Sequence, residues 1–232
     1  QVSYLTLDLS PTFQRVVNDN FCHAVQIADK FHVIKNGIEA VQAIRIRLKQ
    51  EALKLQREQQ LLHQKNYQDS KNNYLIGPKM KLSKGFRPKR LVNGETAAEL
   101  LSRSRYLCTI SPDKWSEHQA RRANLLFEKY PSLNQAHQSI TDFREWYKAK
   151  PADFEPFTNE KQLGNWIDKA ENDPNIEIKN FRNLVINHEQ RILNYHKHGH
   201  RTNAIAESVN AKIKEATRQN KGTRDLDFFH FR

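Results

Sequence analysis

The sequence predicts an α/β fold that is mostly helical. Two short β-prone runs lie near the start of the chain, and a Ser-Pro pair that favours the beginning of a helix lies between them. Most of the chain beyond these two runs has apolar residues at helical spacing, and the last such stretch, at residues 203–219, is amphipathic. We therefore expect a small strand–helix–strand unit, a long series of helices and a final helix.

The strand–helix–strand unit opens the chain. Ser10 and Pro11 are predicted to be the N-cap and the first position of its helix, and the second strand is expected at residues 24–28. Strands joined in this way are normally parallel, and ligands gather at their carboxyl ends. Asp8 and Asp29, which come at the ends of the two β-prone runs, are therefore well placed for a site.

The middle of the chain is predicted to be helical. The charged stretch at residues 36–68 is expected to form one extended helix or a pair of helices, and the sequence leaves both open. Helix starts are predicted at Thr96, Ser111 and Ser132, because Ser and Thr are good N-caps. The helices expected beyond the first stretch cover residues 96–104, 112–130, 132–148, 160–171 and 178–194.

A strongly basic segment interrupts these helices at residues 74–94. It contains Gly and Pro and has no acidic residue before Glu95, which predicts a loop. Two interpretations stay open, a contact with the DNA backbone and a solvated linker. The candidate DNA-binding residues of the segment are Lys79, Lys81, Lys84, Arg87, Lys89 and Arg90.

The final helix has an unexpectedly polar face. Its apolar face is expected to pack against a core through Ile205, Val209, Ile213 and Ala216. A different face sets one carboxylate among amides and cations, namely Asn203, Glu207, Asn210, Lys214 and Arg218. A carboxylate in that setting suits a metal ligand that faces a phosphate. The alternative is a solvated face on which Glu207 and Lys214 are merely exposed.

The composition favours a polyanionic partner. The 232 residues carry a formal net charge of +12, and Lys and Arg gain affinity for nucleic acid by releasing counterions from phosphates. Cys22 and Cys108 lie far apart without C-x-x-C spacing, which argues against a disulfide scaffold or a cysteine-rich zinc site. No apolar run approaches the roughly 20 residues that span a bilayer. We therefore expect a cytoplasmic protein without a membrane partner.

Two groups of residues that contain histidine invite a metal interpretation. His196, His198 and His200 alternate in a Gly-containing stretch beside cations, a pattern that more often faces solvent and nucleic acid than a zinc ion. Asp29 and His32 are similarly ambiguous, because both can ligate a metal ion. For His32 the sequence favours a hydrogen bond within the core that positions the strand.

These patterns together resemble a family, the DDE-class transposases of bacterial insertion sequences, and within it the ISL-three group. The resemblance covers essentially the whole chain and is most specific at its two ends. It rests on Asp8 at a strand end, on Asp29-x-Phe31-His32-Val33, on Arg105-Tyr106-Leu107, on Thr202-Asn203-x-x-x-Glu207-x-x-Asn210-x-x-Ile213-Lys214, and on Arg218 and Gly222. The middle of the chain resembles the family only in being helical, without specific motifs.

The resemblance implies a ribonuclease H-like fold in which three acids bind two Mg²⁺ or Mn²⁺ ions. Asp8 matches the second acid and Glu207 the third, while Asp29 and His32 match a signature near the active site. Asn203 and Asn210, with Lys212, Lys214 and Arg218, are implied to orient the last helix or to contact DNA phosphates. The family's first aspartate lies on a strand before the point where this chain begins, so the fragment alone is expected to be inactive.

The resemblance also predicts the organisation and the partners of the chain. Residues 1–34 and 201–232 are expected to belong to the ribonuclease H-like core, and residues 35–200 to a helical insertion. The implied activity is metal-dependent phosphodiester hydrolysis and DNA strand transfer by a homo-oligomer bound to element ends and target DNA. The alternative is a catalytically dead, basic nucleic-acid-binding or regulatory module derived from a transposase. A structural protein that associates through residues 36–68 is weaker, because the apolar positions there do not sustain clean heptads.

Overall fold

The computed structural model describes residues 2–72, 85–148 and 156–219. This part of the chain is mostly helical and contains two short strands, as the sequence predicts. In chain order the elements are β1 Tyr4–Leu7, α1 Pro11–Asn20, β2 Val25–Ala28, α2 Lys30–Asn72, α3 Ala97–Arg103, a 3-10 turn Pro112–Lys114, α4 Glu117–Lys129, α5 Pro131–Lys148, α6 Pro156–Glu171, α7 Ile176–Asn187, α8 Glu189–Lys197 and α9 Ala204–Gln219.

The chain divides into two compact units. The first contains β1, α1, β2, the first residues of α2, the beginning of α6, and α8 and α9. The second contains the rest of α2 and of α6, together with α3, α4, α5 and nearly all of α7.

The first unit is built on a parallel pair of strands. Strand β1 pairs with β2 in a register that places Tyr4 opposite Val25 and Leu7 opposite Ala28. Helix α8 packs on β2, where the side chain of Asn194 donates a 2.8 Å hydrogen bond to the carbonyl oxygen of Gln26. The predicted strand–helix–strand unit is therefore confirmed, and α8 packs against its second strand.

Residues 30–72 form one continuous helix, α2. Of the two possibilities that the sequence left open, one helix or a pair of helices, the first is therefore correct. It begins several residues earlier than predicted. The cause is Asp29, whose Oδ1 accepts a 2.9 Å hydrogen bond from the backbone N–H of Phe31. A carboxylate at this position satisfies a backbone donor that the first turn of a helix leaves without an intrahelical partner.

The core of the second unit is an aromatic cluster. The ring of Phe143 lies 4.6 Å from that of Trp166 and 5.3 Å from that of Phe181, measured between centroids. Helix α2 approaches this cluster closely at Gly37, where an added Cβ would lie 3.1 Å from Cζ of Phe181 and 3.2 Å from Cδ1 of Ile140. Trp166 is a core residue, since only 7% of it is exposed.

Two predicted helix boundaries are wrong. Helix α4 begins at Glu117, because Ser116 and Gln119 form a capping box, and Ser111 precedes only the 3-10 turn. The run predicted at residues 178–194 is divided into α7 and α8 at His188, whose backbone leaves the helical region. Both boundaries are set by local hydrogen bonds and backbone angles. The spacing of apolar residues does not encode these features.

Candidate active site

Two aspartates lie next to each other at the carboxyl ends of the two strands. Asp8 follows the last residue of β1 and Asp29 follows the last residue of β2, and these two residues, Leu7 and Ala28, are opposite each other in the parallel register. The backbone N–H of Asp29 donates a 2.8 Å hydrogen bond to the carbonyl oxygen of Leu7. The two predicted acids thus lie at one edge of the sheet, the edge at which parallel strands collect their ligands.

Asp8 is partly buried and is held by the start of α1. Its Oδ1 accepts a 2.9 Å hydrogen bond from the backbone N–H of Ser10. Ser10 is the N-cap of α1 and Pro11 occupies the first turn, as predicted, although the Ser10 side chain makes no capping hydrogen bond. The short turn from β1 into α1 therefore fixes the Asp8 carboxylate.

Asp29 is more enclosed than Asp8, with 3% of the residue exposed. One carboxylate oxygen caps α2 through the N–H of Phe31, and the other, Oδ2, lies 3.4 Å from Nδ1 of His32. The side chain of His32 is 32% exposed. Asp29 and His32 therefore form a pair at the start of α2, on the edge of the sheet that carries Asp8.

The histidines at the end of α8 are packed rather than solvated. His196 is only 2% exposed, and its Nδ1 lies 3.2 Å from Nε2 of His200. The imidazole of His200 stacks on the ring of Tyr195 at 4.5 Å, with an angle of 7° between the planes. The expectation that this stretch faces solvent is therefore wrong for His196, because the turn that ends α8 folds His200 back onto the helix.

That turn has an unusual backbone. Gly199 and His200 have φ angles of 76° and 58°, in the left-handed region that favours glycine. The N–H of His200 donates a 2.9 Å hydrogen bond to the carbonyl oxygen of Tyr195, which closes the end of α8. Beyond the turn, the guanidinium of Arg201 lies over the ring of Tyr4, 4.2 Å from its centroid. The turn thus ties the segment that leads into α9 to strand β1.

The burial of His196 predicts a loss of stability in acid. Burial, together with the charges of His200 and Lys30, lowers the pKa of His196 to about 4. Above pH 6.5 neither the folded nor the unfolded state is protonated at this group; between pH 6.5 and about 4 only the unfolded state binds the proton. The free energy of unfolding should therefore fall by about 2–3 kcal/mol across this window because of His196.

This acid effect is measured by urea unfolding of the wild-type chain and of His196→Asn at several pH values. The variant should lose less stability than the wild type between pH 7 and 4. His118→Asn, at an exposed position of α4, is the matched control and should follow the wild type. Equal pH dependence in the wild type and in His196→Asn would contradict the burial argument.

Lys30 and Tyr195 lie next to the edge of the sheet that carries Asp8 and Asp29. The sequence analysis did not identify them. Nζ of Lys30 lies 5.4 Å from the centre of the Tyr195 ring. Burial raises the pKa of the Tyr195 hydroxyl, and the negative charge of Asp29 raises it further. Their positions in the sequence could have identified them, because Lys30 directly follows Asp29 and Tyr195 directly precedes His196.

Helix α9 carries Glu207, but the described side chains of this helix do not include those of Ile205 and Ala216. The side chain of Glu207 is likewise outside the described side chains, and Val209 and Ile213 are 50% and 52% exposed. The prediction that Val209 and Ile213 are buried against a core is wrong, because about half of each residue is exposed. The polar candidates Asn210, Lys212, Lys214 and Arg218 are exposed, and Asn203 is partly buried.

The basic segment is described in part. Lys79, Lys81 and Lys84 lie outside the described residues, whereas Arg87, Lys89 and Arg90 are exposed. Arg90 donates a hydrogen bond to the carbonyl oxygen of Gly94. The ring of Phe86 lies 5.9 Å from that of His63, so the end of the segment adjoins α2.

The donor chemistry of the site fits a hard cation. Carboxylate oxygens are the ligands that Mg²⁺ and Mn²⁺ prefer, and Asp8 supplies one such group at the sheet edge. Within the described part of the chain, no three His, Cys, Asp or Glu side chains converge as a metal site. A complete site therefore requires a further carboxylate to join Asp8, and Glu207 is the candidate that the sequence provides.

Comparison with known proteins identifies the family. A family model of DDE transposases of the ISL-three group, described as a transposase, matches residues 1–232. Comparison with curated proteins and with solved structures gave no match. Of the helices in the described ranges, none is long and apolar enough to cross a membrane. The match spans the whole chain, including both strand-end aspartates and α9, and the chain therefore belongs to the DDE transposases of the ISL-three group.

Proposed function

We propose that this chain supplies the second and third acids of a DDE active site that hydrolyses DNA phosphodiesters and transfers DNA strands. The observation that carries the proposal is the position of Asp8 at the carboxyl end of β1, beside the end of β2, in a chain that the family model matches throughout. In this proposal residues 1–34 and 201–232 belong to a ribonuclease H-like core, and residues 35–200 form a helical insertion.

The chemistry assigned to each acid follows from its element. The N–H of Ser10 holds the Asp8 carboxylate at the sheet edge, and we assign to Glu207, which α9 carries, the role of the third acid that would hold the ions together with Asp8. When bound, two Mg²⁺ or Mn²⁺ ions would supply charge stabilisation for displacement at the phosphodiester. Positioning the DNA is then the main task of the remaining residues, because phosphoryl transfer depends mostly on alignment and charge.

The cations near the surface support DNA as the partner. Lys212, Lys214 and Arg218 lie on the helix that carries Glu207, and we assign to them contacts with phosphates near the site. Arg87, Lys89 and Arg90 offer a second basic region in the other unit. Contacts of this kind bind DNA without sequence preference and weaken as salt is added. We further propose that the protein acts in the cytoplasm as a homo-oligomer on paired DNA ends.

The test is a cleavage and joining assay of the full-length protein on DNA that carries the element ends. We expect strand cleavage with Mg²⁺ or Mn²⁺ and none after chelation with EDTA. DNA binding that is sensitive to salt, unaffected by divalent metal and never followed by cleavage would favour the alternative, a catalytically dead binding module.

A further inference from the structure

We propose that the turn at residues 104–110 binds single-stranded DNA, with Arg105 on a phosphate and the ring of Tyr106 stacked on an unpaired base. This inference rests on the proposed function and deepens it, because it names the form of DNA that this part of the chain holds. The turn contains Arg105-Tyr106-Leu107, a motif on which the family resemblance rests but to which the proposed function gives no role.

Two neighbouring side chains of this turn are exposed. Tyr106 is 69% exposed and Arg105 is exposed next to it, whereas Leu107 and Cys108 are buried. Among the described residues, neither the Arg105 guanidinium nor the Tyr106 hydroxyl has a hydrogen-bond or ion-pair partner. An exposed aromatic ring and a cation are the two groups that bind single-stranded nucleic acid, the ring by stacking on a base and the cation by contact with the backbone.

The backbone of the turn is fixed by side chains from two helices. Gln42 of α2 donates a 2.8 Å hydrogen bond to the carbonyl oxygen of Arg105. Arg144 of α5 donates a 3.1 Å hydrogen bond to the carbonyl oxygen of Thr109, whose own N–H is bonded to the carbonyl oxygen of Tyr106. A backbone that is already ordered loses little conformational freedom when a ligand binds, so more of the stacking free energy contributes to affinity.

A buried cation close to Arg105 favours an anionic ligand. Arg45 of α2 is 6% exposed, and it donates 2.8 Å hydrogen bonds to Oε1 of Gln42 and to the carbonyl oxygen of Leu101, both of which are neutral. No described carboxylate forms an ion pair with Arg45 or with Arg105. Burial lowers the pKa of Arg45 and the positive charge of Arg105 lowers it further, whereas Cys108 raises it. The pKa of the Cys108 thiol is itself about 12 because of burial, so this thiol is neutral near pH 7 and the two guanidinium charges stay unbalanced. A phosphate is the anion that guanidinium groups bind well, and DNA supplies it.

The exposed ring distinguishes single-stranded from duplex DNA. Each base inside a duplex is stacked between its neighbours, so a duplex offers a phosphate to Arg105 but no free base face to Tyr106. An unpaired base offers such a face whatever its identity, because every base has one. Strand cleavage and joining create broken strand ends, at which the terminal base lacks a stacking neighbour on one side. A site for single-stranded DNA therefore fits the chemistry that we propose for the protein.

Oligonucleotide binding by the 232-residue chain tests the stacking contact. Fluorescence anisotropy compares a labelled oligothymidylate with a duplex of the same length. Tyr106→Leu should weaken binding of the single strand by a factor between about five and a hundred, and binding of the duplex by less than about twofold. Tyr106→Phe keeps the ring and should bind like the wild type, and Phe157→Leu, at an aromatic residue that is 78% exposed, is the matched control. An equal loss on both DNAs, or no loss on the single strand in folded Tyr106→Leu, would overturn the stacking contact.

The salt dependence of the same binding tests the phosphate contact. If Arg105 neutralises one phosphate, the slope of the logarithm of the binding constant against the logarithm of salt concentration should decrease in magnitude by about 0.7 in Arg105→Gln. Arg105→Lys keeps the charge and should keep the slope. Arg57→Gln, at an exposed arginine of α2, makes the same change in net charge and should also keep it. An unchanged slope in Arg105→Gln would contradict the phosphate contact.

A cleavage assay of the full-length protein separates this inference from the proposed function. If Asp8→Asn abolishes cleavage while Tyr106→Leu and Arg105→Gln bind the single strand like the wild type, the inference fails and the proposed function stands. If Tyr106→Leu and Arg105→Gln bind as expected but Asp8→Asn cleaves DNA normally, the DNA-binding turn stands and the proposed catalytic function fails.

Discussion

Asp8→Asn and Glu207→Gln should each lower DNA strand cleavage by the full-length protein by a factor on the order of a thousand or more. The amide keeps the size of each side chain but removes the negative charge that binds Mg²⁺. A bound metal ion contributes several kcal/mol of transition-state stabilisation, and each step of about 1.36 kcal/mol is a tenfold change in rate. Gel assays of cleavage and joining measure the loss, and thermal unfolding should show that both variants remain folded.

The chain offers matched controls for both substitutions. Asp19→Asn changes an exposed aspartate of α1, and Glu215→Gln changes an exposed glutamate of α9 that pairs with Arg218 at 3.3 Å. Both controls should cleave DNA at rates close to that of the wild type. Normal cleavage by Asp8→Asn or by Glu207→Gln would contradict the assignment of the acids, and a defect in the controls would indicate a general charge effect.

Phe143→Ala should lower the free energy of unfolding by about 3–5 kcal/mol. Phe143 is 1% exposed, and its ring contacts those of Trp146, Tyr147, Trp166 and Phe181. Truncation removes the transfer free energy of the ring and leaves a cavity in the aromatic cluster of the second unit. Urea unfolding with linear extrapolation measures the change.

Phe157→Ala is the control for this core substitution. Phe157 is 78% exposed, so its removal should change the free energy of unfolding by no more than about 0.5 kcal/mol. A loss of less than about 1 kcal/mol in Phe143→Ala would mean that the aromatic cluster is not the core of the second unit.

The strand–helix–strand unit was predictable because its signals are local. Ser10 and Pro11 mark a helix start through their own backbone preferences, and a parallel pair follows from strands joined by a helix. The start of α2 was not predicted, because it depends on one hydrogen bond between Asp29 and the N–H of Phe31. The sequence signal, an aspartate directly before a helix, was present but was assigned to function rather than to capping.

The candidate site was predictable where it depends on the two strands and not where it depends on tertiary packing. Parallel strands place Asp8 and Asp29 at one edge regardless of the rest of the fold. The burial of His196 was not predictable, because it depends on how the turn at Gly199 and His200 folds back onto α8. The exposure of Val209 likewise reflects tertiary packing, since an amphipathic pattern shows which face prefers a partner but not whether one is present.

The most direct measurement is the separation of the Asp8 and Glu207 carboxylates in crystals of the protein soaked with Mn²⁺. The account predicts that both carboxylates ligate the same site, where two ions in the complete active site lie roughly 3.5–4 Å apart. Anomalous scattering from Mn²⁺ locates the ions independently of the side chains. Carboxylates that point to different regions, with no Mn²⁺ between them, would contradict the assignment of these two acids to one catalytic centre.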